Sequence, residues 1–231
     1  MRVAFLDLDH TLLAADSNQL WMAHLRSEQL ISQEQSFVHD QFLRDYACGK
    51  LNFTDLQAFR IGLDASLPAD TLPAVRAVFE RETLIPAIAP LAHRLLAELA
   101  QRGLTTVVVS ATRSPLVDPV VQALGVGHAI TSCFGHAKVQ QVQAWLQRWG
   151  SSLADLHESW FFSDSHNDLP LLDVVMHPVA VDADDRLRQV AIDRAWPLIS
   201  LRSDVSQGER LLPHGAALGV SSVQCKHSVC S

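Results

Sequence analysis

The chain has 231 residues, of which 48% are hydrophobic and 19% are charged, and its formal net charge is −7. This composition is typical of a globular protein and excludes a largely disordered chain. The acidic balance argues against a nucleic-acid-binding protein, whose surface would be basic.

Two further features of the sequence concern its location. No apolar stretch reaches the 18 residues that a membrane span needs, and the N-terminus opens directly into a predicted strand without a basic, signal-type segment. The four cysteines are too few and too irregularly spaced for a disulfide framework. We therefore expect a cytoplasmic protein without a membrane partner.

The first predicted element is a buried strand at residues 3–6, which ends at Asp7 and Asp9. Because side chains alternate along a strand, residues two apart project the same way, so these carboxylates converge. Two carboxylates about 4 Å apart repel by about 4 kcal/mol at an effective dielectric near 20. Such a pair requires a cation, a shared proton or a catalytic purpose.

From residue 16 to residue 84 the apolar period is helical and predicts three or four helices with no strand. Strands then alternate with helices, which predicts a parallel sheet with right-handed crossovers. The further strands are expected at residues 104–109, 128–131, 159–162, 178–181 and 198–200. Helices are expected at 88–99, from either 114 or 118 to about 125, and at 138–149.

These elements predict an α/β protein with two parts. A Rossmann-like parallel sheet forms the core from residues 1–15 and 85–201, and residues 16–84 form an inserted, all-helical subdomain above the carboxyl edge of the sheet. Residues 202–231 lack periodicity and are expected to be a loosely ordered tail.

Polar groups follow the predicted strands at the points where they end. Besides the first pair of aspartates, these groups are Ser110, Lys138, Asp164 and Asp168. The carboxyl ends of parallel strands share one edge, so residues distant in sequence meet there. Carboxylate oxygens suit Mg²⁺, which holds few protein ligands and keeps waters for a substrate phosphate. The hydroxyl and the ammonium group supply donors for phosphate oxygens.

These motifs resemble those of one family. The segment Asp7–Thr11 resembles the DxDxT motif of haloacid dehalogenase (HAD) superfamily phosphohydrolases, Ser110 resembles the second motif, Lys138 the third, and residues 163–168 the fourth. The helical insertion resembles the C1 cap of the phosphoserine-phosphatase-like branch. Four motifs in this order on predicted strand ends form a specific signal.

The resemblance implies roles for the acidic residues. Asp7 would attack phosphorus and form an aspartyl-phosphate, while Asp9 would protonate the leaving alcohol and then deprotonate the attacking water. Mg²⁺ would be held by the Asp7 carboxylate, the Asp9 main-chain carbonyl and Asp164, with Asp168 bound directly or through water. Dehalogenases lack the second acid, so its presence favours a phosphatase or phosphomutase.

The resemblance also implies substrate contacts. Ser110 and Lys138 would bind the phosphoryl oxygens, supported by Thr11 and Asn167. Asp16 occupies the place, nine residues past the nucleophile, where phosphoserine phosphatases often carry a glutamate that grips the substrate. A helix cap is the alternative role that we favour for Asp16.

Several other residues have two interpretations. Asp168 precedes Leu169-Pro170, and a helix N-cap is expected in addition to any metal role. Arg60 in the insertion could meet a substrate carboxylate, although a solvated helix face is favoured. Ala111 and Thr112 replace smaller residues that are common in phosphoserine phosphatases.

We therefore expect a Mg²⁺-dependent phosphatase that hydrolyses a small phosphorylated metabolite, with phosphoserine-like and histidinol-phosphate-like compounds among the candidates. A phosphomutase or phosphotransferase is the alternative enzyme. Lys138 follows Thr131 by only seven positions, which is shorter than in relatives of this branch. This shortening is the feature that favours a third alternative, a degenerate module that binds phosphate without catalysis.

Overall fold

A computed structural model of the chain describes residues 1–202, apart from the side chain of Ala47, and residues 211–212. Its centre is a parallel sheet of six strands in the order β3-β2-β1-β4-β5-β6. The strands are β1 Arg2–Leu6, β2 Thr105–Val109, β3 His128–Ile130, β4 Glu158–Ser163, β5 His177–Val181 and β6 Leu198–Ile199. The predicted α/β class and all six predicted strands are confirmed.

The described residues form nine α-helices. They are α1 Ser17–Ser27, α2 Gln33–Ala47, α3 Phe53–Ser66, α4 Leu72–Phe79, α5 Ala92–Gln101, α6 Ser114–Leu124, α7 His136–Gln147, α8 Leu169–Leu172 and α9 Asp185–Asp193. None of the helices described has the length and apolar character needed to cross a bilayer. The predicted tail lies almost entirely outside the described residues.

Two helices differ from the sequence-based expectation. Helix α5 begins at Ala92 rather than at Ile88, because Ile88 forms an isolated antiparallel bridge with Leu13. Helix α9 was not predicted at all. Its N-cap is Asp184, whose side chain accepts a hydrogen bond from the Leu187 amide at 2.8 Å.

The central strand β1 is buried on both faces, as expected for a strand in a parallel sheet covered by helices. Ala4 and Leu6 face one hydrophobic cluster, and Val3 and Phe5 face a second cluster on the other side. The alternation of side chains thus divides the core into two layers.

The helical insertion belongs to the first of these layers. Trp21 and Leu25 of α1 and Phe79 of α4 are buried in the cluster that also contains Leu6. Burial of each such side chain contributes about 1.5–3 kcal/mol. This packing holds the start and the end of the insertion beside the sheet.

The register of the sheet places the strand ends level with one another. Leu6 pairs with Val108 of β2 and with Phe162 of β4. The Asp7 amide extends this pattern by donating to the Phe162 carbonyl at 2.9 Å. The residues that follow β1, β2 and β4 therefore emerge at one edge.

Candidate active site

A buried lysine links two carboxylates at this edge. The Lys138 Nζ lies 2.6 Å from Asp7 Oδ1 and 2.7 Å from Asp168 Oδ2. Although burial disfavours its charge, the carboxylates of Asp168 and Asp7 together raise the pKa of Lys138, so it remains an ammonium ion. The short segment before Lys138 therefore still delivers the ammonium group to the strand ends.

The Asp168 carboxylate accepts hydrogen bonds from two side chains and does not cap a helix. Its Oδ2 accepts from Lys138 and, at 2.7 Å, from the Ser163 hydroxyl. The residue stands at the N-cap position of α8, but its side chain makes no capping hydrogen bond. The expected capping role of Asp168 is therefore wrong, because the buried lysine takes its carboxylate.

Burial disfavours the ionised forms of the neighbouring aspartates. Burial, only partly offset by Lys138, raises the pKa of Asp7 from 3.8 to about 7. Burial and repulsion from Asp7 and Asp168 raise the pKa of Asp164 to about 9. The hydroxyl of Thr11, which is itself fully buried, donates to Asp164 Oδ1 at 3.2 Å. Thr11 thus contacts an acid of the cluster and does not line the cavity beside it.

The charge balance of this cluster fits a divalent cation. Three carboxylates, those of Asp7, Asp164 and Asp168, face the single ammonium of Lys138. Among the described residues no group of three His, Cys, Asp or Glu side chains has the arrangement of a metal site. Two carboxylates and a main-chain carbonyl would suffice for Mg²⁺, because this ion keeps several waters.

Asp9 has its own set of donors. Its Oδ1 accepts from the Ser17 amide at 2.7 Å, and its Oδ2 accepts from the Thr112 hydroxyl at 2.6 Å. Burial and the nearby charge of Asp16 raise the pKa of Asp9. A carboxyl group whose pKa lies nearer to neutrality is suited to exchange protons at the pH of the cell.

The sheet edge opens into a cavity of about 160 Å³ beneath the inserted helices. The predicted site residues that line it are Asp7, Asp9, Asp16, Ser110, Lys138, Asp164, Asn167 and Asp168. The opposite wall comes largely from α2 and α3 and is mostly apolar and aromatic. It contains Phe42, Leu43, Tyr46, Leu51, Phe53 and Leu56.

The insertion also contacts the edge through polar groups. The Tyr46 hydroxyl lies 3.2 Å from the Ser165 hydroxyl and accepts from Asn167 Nδ2 at 3.1 Å. Gln57 donates to the Ala111 carbonyl at 3.2 Å. Asn167 is therefore placed at the seam between the insertion and the sheet edge.

Asp16 is both a helix cap and a residue of the cavity wall. Its Oδ1 accepts from the Gln19 amide at 2.8 Å, which makes it the N-cap of α1 and confirms that interpretation. The residue also lines the cavity, as a contact to the substrate would require.

Two further residues line the cavity, and one of them, His39, was not predicted from the sequence. Arg60 lines the cavity and its Nε is buried without a hydrogen-bond partner among the described residues, so the solvated face expected for it is wrong. Burial lowers its pKa. His39 is also buried, and its Nδ1 lies 3.6 Å from Asp40, too far for a hydrogen bond. The signal for His39 was its position on one helical face with Phe42 and Tyr46.

Comparisons with known proteins identify the family to which the chain belongs. Residues 4–173 match the family of haloacid dehalogenase-like hydrolases. A histidinol-phosphatase from Neisseria meningitidis is 29% identical over 219 residues, which cover 87% of this chain and 99% of that protein. A structure from Bordetella pertussis Tohama I, of unknown function, is 32% identical with a TM-score of 0.79 and coverage of 87% and 98%.

A phosphoserine phosphatase, solved as a phospho-aspartyl intermediate analogue, shares the fold with a TM-score of 0.59. It is 17% identical, and the match covers 87% of this chain and 93% of that one. The protein belongs to the haloacid dehalogenase-like hydrolase family, and it shares the fold of this phosphoserine phosphatase. The predicted class of enzyme, a phosphatase, is confirmed.

Proposed function

We propose that the protein is a Mg²⁺-dependent phosphatase that hydrolyses a small phosphate monoester through an aspartyl-phosphate on Asp7. The observation that carries this proposal is the bridge from Lys138 to Asp7 and Asp168 at the floor of the cavity. A lysine with raised pKa beside a carboxylate nucleophile lets that nucleophile approach an anionic phosphoryl group.

In the first half-reaction the phosphoryl oxygens accept hydrogen bonds from Lys138 and Ser110. An Asp7 oxygen forms a bond to phosphorus while the bond from phosphorus to the ester oxygen breaks. Asp9 gives its proton to the departing alkoxide and is left as a carboxylate. In the second half-reaction Asp9 takes a proton from water, whose oxygen attacks phosphorus and releases Asp7 and inorganic phosphate.

The acidic residues of the site would also hold the metal. The Asp7 carboxylate, the Asp9 main-chain carbonyl and Asp164 would be its protein ligands, with Asp168 bound directly or through water. When bound, Mg²⁺ offsets the negative charge of the phosphoryl group and of the surrounding carboxylates.

We propose that residues 16–84 act as a cap on the core formed by residues 1–15 and 85–201. The cap's apolar wall would exclude water from the cavity and select the alcohol portion of the substrate. The preferred substrate is an amino-alcohol phosphate such as histidinol phosphate. Asp16 would attract its ammonium group and the aromatic wall would pack against its ring. The Neisseria histidinol-phosphatase, which this chain matches over nearly its full length, supports this choice.

The test is release of inorganic phosphate by purified, EDTA-treated protein from histidinol phosphate, phosphoserine and p-nitrophenyl phosphate. We expect turnover only after Mg²⁺ is added, highest kcat/KM for histidinol phosphate, and equal yields of phosphate and alcohol. Yields of alcohol that exceed those of phosphate would instead indicate transfer to a second alcohol.

Asp7→Asn should abolish turnover while circular dichroism shows an intact fold. The matched control is Asp185→Asn, the same substitution at an exposed position of α9 that does not line the cavity. Appreciable residual turnover in Asp7→Asn would contradict a nucleophilic aspartate.

A further inference from the structure

Thr112 has a contact that the motifs do not explain. It stands two residues after Ser110, where phosphoserine phosphatases commonly have a smaller residue, and it is 1% exposed. Its hydroxyl lies 2.6 Å from Asp9 Oδ2 and 2.7 Å from Asn18 Nδ2. A residue without a hydroxyl could make neither contact.

The direction of these hydrogen bonds follows from the chemistry of the groups. The single hydrogen of the Thr112 hydroxyl is donated to Asp9 Oδ2, which has a lone pair for it whether or not the carboxyl group holds its catalytic proton. The Asn18 amide nitrogen then donates to the Thr112 oxygen. The result is a directional chain, Asn18 to Thr112 to Asp9, in which each bond polarises the next.

The other oxygen of Asp9 is held independently. The Ser17 amide at the start of α1 donates to Oδ1 at 2.7 Å, so donors on both oxygens fix the rotation of the carboxylate. Each carboxylate oxygen has two lone pairs, so a lone pair remains for the proton that is exchanged with the reacting oxygen.

We propose that Thr112 is a positioning residue that aims the Asp9 carboxyl at the leaving-group oxygen. This role rests on the proposed function, because it assumes that Asp9 protonates the departing alcohol. Since Asn18 and Ser17 belong to the first inserted helix, the aim of Asp9 also depends on where that helix lies.

The proposal has a signature that a merely structural residue lacks. General acid catalysis contributes about 10²–10⁴-fold, but only where the leaving group needs a proton. p-Nitrophenolate departs readily as an anion, phenolate less readily, and the benzyl alkoxide hardly at all. Misplacing the acid therefore penalises these leaving groups in increasing order.

The experiment compares Thr112→Val, which removes the hydroxyl and keeps the shape, with Thr112→Ser, which keeps the hydroxyl. kcat/KM, which reports the steps up to alcohol release, is measured with Mg²⁺ on p-nitrophenyl, phenyl and benzyl phosphate. We expect Thr112→Val to lose about tenfold or more on benzyl phosphate relative to p-nitrophenyl phosphate, as a fraction of the full general-acid effect. Thr112→Ser should restore the wild-type ratio.

Equal losses of Thr112→Val on all three esters, or no loss on any, would overturn the positioning role and leave the proposed function intact. A wild-type protein that releases no phosphate with Mg²⁺ from these esters or from histidinol phosphate would refute the proposed function and this role together. The substitution Asn18→Ala tests the hydrogen-bonded series from Asn18 through Thr112 to Asp9. Alone it should reduce kcat/KM for benzyl phosphate, whereas combined with Thr112→Val it should cause no further loss. Losses that add up in the double variant would contradict a connected series of hydrogen bonds.

Discussion

Replacing Lys138 by methionine tests the charge balance that holds the site together. The lysine side chain is 3% exposed, and its two partners, Asp7 and Asp168, are 10% and 3% exposed. Methionine preserves most of the volume but leaves buried carboxylates without their cation. Removing one partner of a buried ion pair costs about 3–5 kcal/mol.

Protonation limits this cost and makes it depend on pH. A carboxyl group with an ordinary pKa of 3.8 can be protonated at pH 7 for about 4 kcal/mol, and at pH 5 for less than about 2 kcal/mol. We therefore expect Lys138→Met to lower the free energy of unfolding by about 3–5 kcal/mol at pH 7 and by clearly less at pH 5.

The assay is urea unfolding in EDTA at both pH values, followed by circular dichroism. Lys50→Met is the matched control, since Lys50 is exposed in the turn after α2. A Lys138→Met protein as stable as wild type at pH 7, or a loss of the same size at pH 5, would show that Lys138 does not offset the charge of the buried carboxylates. Added Mg²⁺ should restore part of the lost stability, because it supplies positive charge to the same carboxylates.

Two other predictions concern the acids of the site and Arg60, whose Nε is buried without a partner among the described residues. Because the pKa of Asp7 is raised to about 7 and that of Asp164 to about 9, both groups hold protons more tightly when folded. Metal-free protein should therefore lose thermal stability as pH rises from about 4 to about 9, by at most about 1.4 kcal/mol per pH unit for each proton. Stabilisation by Mg²⁺ should grow over the same interval, and a metal-free melting temperature that rises with pH would contradict the argument. Arg60→Met should not lower the melting temperature, since its buried Nε has no partner in the described part of the chain. It should lower kcat/KM for phosphoserine about tenfold more than for histidinol phosphate, because only phosphoserine offers a carboxylate to a guanidinium. Equal losses on the two substrates would exclude Arg60 as a carboxylate contact.

The strands and the acidic residues at their ends could be predicted from the sequence because the patterns that indicate them are local. An apolar run such as residues 3–6 identifies a buried strand by itself, and a parallel sheet brings its carboxyl ends together whatever the connecting segments contain. That is why Asp7, Lys138 and Asp164 could be assigned to one place before their distances were known. Helix α9, which was not predicted, also had a local signal in its N-cap Asp184.

The tertiary structure decided what lies on the far wall of the cavity and what holds each acid. Whether Arg60 meets solvent or the cavity depends on how α3 rotates against the core, and many distant apolar contacts set that rotation. The same holds for Thr112 and Asn18, which are 94 residues apart and bond only because α1 packs beside the end of β2. Chain periodicity determines which elements form, whereas the packing of helices separated in sequence determines which side chains they turn toward the substrate.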